Sequence, residues 1–303
     1  DFTEFDAVVE KYYPWAVNLI LVPLPHGVSR DASLEDAKRR IQESGLGRVA
    51  AAFERHLMEK GWLDTAYTYL WDEPIGAHFP IVNLLTGTVK RSAPRLKNMI
   101  TARGFPHALK YVDIWCPEIF SFDPQSAERE RKRGKRIWWY VAFSCRHPYP
   151  NFWIDYPALD CRVVFWLTWK HRIDGFLYWS ISNWWRVRDP LENTQTFPGA
   201  NGDGTLIYPG SDGGPIDTIR WENIREGLED YEYFVLLQKL VNEAVRRGVR
   251  NDIIAHARKL LAIDDSLVRN YANWSHDPTA YLATRSKMAQ AIEALQTLRH
   301  FKK

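Results

Sequence analysis

Tyr67-Thr68-Tyr69-Leu70-Trp71-Asp72-Glu73-Pro74 reads as a strand with chemistry at its end. Its first five residues are aromatic, β-branched or aliphatic, the composition of a pleated strand. Pro74 stops that strand, because it has no N–H to give to a sheet ladder. Two adjacent carboxylates are left at the carboxyl end, where α/β barrels carry their catalytic groups. Taken without its neighbours, Asp72-Glu73 is equally a solvated turn before a helix.

The flanking sequence alternates. Upstream, a helix over Thr3–Tyr13 leads into the apolar run Ala16–Val22, which reads as a buried parallel strand, then a polar loop and a helix over about Arg48–Lys60. Downstream of the strand Thr65–Trp71 come a helical stretch near Ala77–Ala102, the strand Tyr111–Cys116, a charged helix and the strand Arg136–Phe143. A helix over about Tyr156–Arg172 connects to the strand Gly175–Ile181, and a long Gly/Pro/Asn loop, Arg186–Asp203, reaches a short sixth strand, Leu206–Tyr208. The rest is helical: Ile216–Arg247, Asp252–Ala262 and Pro278–Arg299. Repeated strand–helix units predict a parallel sheet. A closed barrel needs eight strands. The expected fold is therefore an α/β chain, a (β/α)8 TIM-type barrel over residues 1–247 whose first strands lie upstream of Asp1, with a C-terminal helical extension over 248–303 packed on it. An intact open sheet is the alternative.

Composition narrows the function. The 303 residues are 46% hydrophobic, enough for a large core, and 40 basic against 37 acidic residues leave a net charge of only +3. Interleaved signs argue against nucleic acid as the main partner, and the basic run Arg129–Arg136 reads as a solvated helix end. The three cysteines, Cys116, Cys145 and Cys161, lack Cys-x-x-Cys spacing, and the histidines His26, His78, His107 and His147 occur singly, so neither a metal nor a cofactor is expected. No segment reaches the roughly 20 apolar residues of a membrane span. Asp1-Phe-Thr-Glu4 has neither the basic nor the apolar region of a signal peptide. Aromatics dominate instead: 14 Trp, 14 Tyr and 14 Phe, with Trp and Tyr concentrated at strand ends. An indole face with a polar edge suits a sugar, whose C–H face stacks while its hydroxyls hydrogen-bond elsewhere.

In a parallel barrel all strand carboxyl ends share one face. The candidates there are Asp72 and Glu73 as catalytic groups, and Trp115, Tyr140, Asn151, Tyr178, Asn183, Trp184 and Asp203 as substrate contacts. Glycoside cleavage needs an acid, raised in pKa by burial, and in the usual retaining enzyme a second carboxylate roughly 5 Å away. Side chains of neighbouring strand residues diverge, which suits that pairing poorly. Attack by the substrate's own 2-acetamido oxygen fits better, with the first carboxylate orienting the amide and the second serving as acid/base. On the long helix, Arg220, Glu222, Arg225 and Glu226 are expected to form ion pairs.

Four stretches resemble glycoside hydrolase family 123 and the broader domain once labelled domain of unknown function 4091. They are Trp71–Pro74; Trp138–Val141 with Tyr149–Pro157; Asp174–Trp179; and Gly202–Gly210 with Ile219–Tyr233, in the family's order. The resemblance implies a (β/α)8 catalytic domain, usually preceded by a β-sandwich, and retaining, substrate-assisted β-N-acetylgalactosaminidase activity on a glycan. Carried over by motif, Asp72 stabilises the acetamido group and Glu73 is the general acid/base. Members acting on glycans are commonly exported, so the resemblance allows a secreted or periplasmic setting. Two alternatives stay open: a glycosidase of different sugar specificity on the same scaffold, and a non-catalytic carbohydrate-binding protein.

Overall fold

The computed structural model describes residues 1–13, 19–249 and 252–300. Its contacts divide the chain into two compact units, Asp1–Trp139 and Tyr140–Lys303.

The sheet is built from β1 (Ile20–Leu21), β2 (Ala66–Tyr69), β3 (Lys97–Ala102), β4 (Ile114–Pro117), β5 (Arg136–Val141) and β6 (Gly175–Tyr178), hydrogen-bonded in sequence order. The pairings from β1 to β5 are parallel, with Ile20 opposite Ala66, Tyr67 opposite Lys97, Met99 opposite Ile114 and Ile114 opposite Arg136. Sequential parallel strands joined by helices form the partial TIM-type α/β fold that the alternation predicts. Of the predicted strand Ala16–Val22, residues 16–18 lie outside the described residues, and pairing is confined to Ile20–Leu21.

Two strands differ from expectation. The helix α4 (Phe79–Ser92) ends well short of Ala102, because Pro94 cannot continue it and biases Ala93 away from helical geometry. Lys97–Ala102 is consequently a strand, buried from Asn98 onward. The predicted sixth strand is not in this sheet. Tyr208–Pro209 (β7) instead pairs antiparallel with Pro215–Ile216 (β8) across a glycine-rich turn.

In the first unit, α1 (Thr3–Tyr12), α2 (Leu34–Glu43), α3 (Leu46–Glu59), α4 and α5 (Pro124–Lys132) accompany the strands. The segment read as a polar loop holds α2, which Ser33 caps by accepting the Asp36 N–H. An open groove of about 740 Å³ runs beside α1 and β1, lined by Phe5, Val8, Tyr12, Leu19 and Leu21; it includes neither Asp72 nor Glu73.

In the second unit, α6 (Ala158–Lys170) packs on α7 (Ile219–Arg246), followed by α8 (Asp252–Ala262), a short hairpin of β9 (Val268–Asn270) and β10 (Asn273–Trp274), and α9 (Pro278–His300). The core joint is ionic as well as apolar. Asp230, fully buried on α7, accepts from Arg162 Nε at 2.6 Å, Arg162 Nη2 at 2.9 Å and the Trp166 indole at 2.7 Å. The expected surface pairing on α7 holds for Arg225, which reaches Glu222 and Glu229. Arg220 departs from it, being buried and spent on backbone carbonyls.

Candidate active site

Period-two alternation along β2 sends Tyr67 and Tyr69 to one face and Thr68 to the other. Tyr69 thereby stands beside the strand's end, where Asp72 follows. Its hydroxyl donates to Asp72 Oδ1. Thr101, near the end of β3, donates to the same oxygen at 2.9 Å and accepts the Glu73 backbone N–H at 2.9 Å. The two hydroxyls also lie 2.9 Å apart, so either can donate to the other, and Asp72 keeps at least one of its bonds. Burial, then the neighbouring Asp72 carboxylate, raises the Tyr69 phenol well above its usual range, so it stays a donor. From the loop after β1, Arg30 donates to the Asp72 carbonyl at 2.5 Å and stands 3.4 Å from Oδ2.

Glu73 is held differently. Its φ of 44° is in the left-handed region, uncommon for a residue with a side chain. Such strain persists where surrounding bonds over-determine it, and the Thr101–Glu73 bond is one of them. Both carboxylates are exposed, so in the first unit neither lies in the buried setting expected for an acid catalyst.

A second polar centre lies in the other unit. Asp203 has no solvent exposure. Oδ1 accepts from the Tyr178 hydroxyl at 3.0 Å and the Trp179 indole at 3.3 Å, while Oδ2 reaches no hydrogen-bond partner. The buried indole N–H of Trp153 is likewise without a partner within bonding distance. It still contributes a weak attraction that, with Tyr178 and Trp179, opposes the upward push of burial on the Asp203 pKa; burial wins. Flanking glycines make this geometry. Gly202 and Gly204 have φ of 71° and 72°, and a Cβ on Gly204 would fall 2.2 Å from the Trp179 ring. Arg220 clamps the same turn from α7, donating to the carbonyls of Phe152, Gly202 and Thr205.

The remaining candidates divide by what they touch. Tyr178 belongs to the Asp203 centre and also accepts the Gly204 N–H at 2.9 Å. Tyr140 is buried, on the same side of β5 as Trp138 by alternation. Trp184 is half-buried and donates to the Ile207 carbonyl at 2.9 Å. Asn183 is buried, and its amide fixes the loop through the Thr196 carbonyl at 3.0 Å. Two placements correct the expected substrate contacts. Trp115 is buried with its indole bonded to Glu130 of α5, so it packs strand to helix. Asn151 is fully buried; its amide donates to the Ala142 and Cys145 carbonyls, both at 2.8 Å, and its oxygen accepts the Phe152 N–H, so it staples a loop. Arg30, Tyr69, Thr101 and Trp153 escaped the sequence reading of the site. Tyr69 alone had a signal, two positions before the carboxylate-bearing end.

Among the described residues no group of three His, Cys, Asp or Glu side chains is placed to hold a metal, and no helix is long and apolar enough to cross a membrane.

Residues 36–237 match the family model described as glycoside hydrolase 123, catalytic domain. None of the curated proteins matches the chain. A family 123 glycoside hydrolase from Clostridium perfringens, studied for glycolipid glycan hydrolysis, is similar in fold: TM-score 0.54, 20% identity, covering 84% of this chain and 45% of that one. This chain thus spans less than half the length of that protein. A family 5 glycoside hydrolase from Bacteroides vulgatus is similar more loosely, with TM-score 0.37 and 12% identity over 80% of this chain and 64% of that one. The family match takes in Asp72, Glu73 and the Asp203 turn and covers more than half of the 303 residues, so the chain belongs to glycoside hydrolase family 123.

Proposed function

We propose that the chain cleaves terminal β-linked N-acetylgalactosamine from a glycan with retention, using the substrate's acetamido oxygen as nucleophile. The observation that carries this reading is the fixation of Asp72 by Tyr69 and Thr101 next to a Glu73 whose backbone is turned into the left-handed region. Two adjacent carboxylates with diverging directions serve different atoms of one substrate better than they serve as a facing pair.

Asp72, oriented by two hydroxyl donors, would accept the acetamido N–H and stabilise the positive charge that develops as the oxygen attacks the anomeric carbon. Glu73 would protonate the leaving oxygen and then deprotonate the water that opens the cyclic intermediate. Its desolvation would come with the bound sugar.

The test is hydrolysis of p-nitrophenyl β-N-acetylgalactosaminide beside the matching galactoside. Turnover of the first alone supports acetamido participation; equal turnover sinks it. In Glu73→Gln, turnover of an alkyl glycoside should fall by roughly 10²–10⁴, the usual share of general acid catalysis. The nitrophenyl glycoside should fall less, because its leaving group needs little protonation. Asp72→Asn should slow both substrates similarly.

A further inference from the structure

Both polar atoms of the peptide between Asp72 and Glu73 are held by side chains from elsewhere in the first unit. The carbonyl, on Asp72, accepts from Arg30 Nη2 at 2.5 Å, and the N–H, on Glu73, donates to Thr101 Oγ1 at 2.9 Å. A peptide group is planar. Two bonds to its opposite edges therefore fix the direction of the whole plane, and with it ψ of Asp72 and φ of Glu73.

The plane is held against its own sequence. Glu73 has φ of 44°, which a residue with a side chain seldom adopts. Pro74 follows, and a residue before proline is biased toward extended backbone with negative φ. Such a conformation lasts only where neighbours over-determine it. Thr101 supplies one restraint and Arg30 the other. Arg30 is 2.5 Å from the Asp72 carbonyl but 3.4 Å from carboxylate oxygen Oδ2, so it is first a backbone clamp and only second a counter-ion. The loop that carries it is fixed in turn. Val28 is buried, His26 Nδ1 accepts the Val28 N–H at 3.2 Å, and Arg40 of α2 donates to the Gly27 carbonyl at 3.2 Å.

We propose that Arg30 is a positioning residue for Glu73: by holding the Asp72 carbonyl it keeps the Asp72–Glu73 peptide turned, and so sets the direction in which the Glu73 carboxylate leaves the backbone. The inference rests on the reading of Glu73 as general acid and adds what aims that acid. Without the clamp, Glu73 relaxes toward the extended backbone that Pro74 favours, and its carboxyl group leaves the position from which it protonates the leaving oxygen.

The test is Arg30→Met, which keeps the aliphatic stem and removes the donors. The Arg30 side chain is 56% exposed, so the fold should survive the change. Turnover of an alkyl β-N-acetylgalactosaminide should fall about 10- to 100-fold, the worth of one hydrogen bond from a charged group. The nitrophenyl glycoside, whose leaving group needs little protonation, should fall by less than about threefold. Arg30→Lys, which keeps a charged donor, should recover much of the alkyl-glycoside rate. An equal loss on both substrates would place the effect of Arg30 on Asp72 instead, and unchanged alkyl-glycoside turnover would leave it no role; either overturns the proposal. A crystal structure of the Arg30→Met chain reads the clamp without turnover. The Asp72–Glu73 peptide should have rotated and φ of Glu73 should be negative; a Glu73 that keeps its left-handed φ overturns the proposal. Failure of the glycosidase reading looks different: the parent chain would turn over neither substrate, and the crystal structure alone would decide whether Arg30 holds the peptide.

Discussion

Thr101 carries two bonds that converge on the proposed catalytic pair, one to the Asp72 carboxylate and one from the Glu73 backbone. A bond to a charged group is worth roughly 1.5–3 kcal/mol. Thr101→Val should therefore lower kcat by about 10- to 100-fold, and Thr101→Ser, which keeps the hydroxyl, should restore most of it. Tyr69→Phe removes one donor and leaves Thr101 in place, so its loss should be smaller. Steady-state kinetics checks both; an unchanged kcat in Thr101→Val would mean that Tyr69 and Arg30, the contacts that remain, position Asp72 without it. The carboxylates were legible because proline ends their strand. Thr101 was not, since it sits on a strand the sequence reading merged with a helix. The wrong side of β4 was chosen at Trp115 for a related reason: a short apolar strand shows its period but not which face is inward.

At the scale of elements, most of the parallel sheet and the long helices were legible from apolar runs and helical spacing. β3 was missed although Pro94 marked the break, and β7 was misassigned because a glycine-rich turn follows it. One element carries a charge that no pattern revealed. Asp160, in the first turn of α6, is fully buried, and neither of its oxygens has a hydrogen-bond partner. Burial pushes it from 3.8 up to about 7, opposed only weakly by the Asn151 backbone. The sign follows from linkage. The folded state holds this proton more tightly than the unfolded state, so ionisation costs stability progressively from pH 3.8 and fully above about 7. At 1.36 kcal/mol for each pH unit the full cost is on the order of 3–5 kcal/mol. Asp160→Asn does not ionise. Relative to it, the parent chain should lose stability between pH 4 and 8, which denaturant unfolding at several pH values will show. Parallel pH profiles for the two chains would refute an ionisation cost at this site.

Across the molecule, the two units hold different kinds of polar groups: the first exposes Asp72 and Glu73 at the end of β2, and the second buries an ion pair in its helical layer. Arg162 and Asp230 join α6 to α7 across 68 residues of sequence, and Arg285 of α9 adds a contact at 3.4 Å to the same carboxylate. A buried pair gains little over well-packed apolar residues, but breaking it leaves a charge uncompensated. Asp230→Leu should thus cost about 3–5 kcal/mol, because Arg162 would remain buried without the carboxylate that now accepts from it. Removing both charges should cost much less. Arg162→Met combined with Asp230→Leu is expected to recover most of the loss, even though it changes more atoms, provided Arg285 keeps Glu226 and Glu229. Hydrogen exchange of the α6 and α7 amides, with denaturant unfolding, reads the difference directly. If the double variant is as unstable as the single, the cost comes from lost packing, and the charges are incidental. If it recovers, the pair is there to fix which faces of α6 and α7 meet, and the Arg220 clamp on the Asp203 turn depends on that choice, since it projects from the same helix.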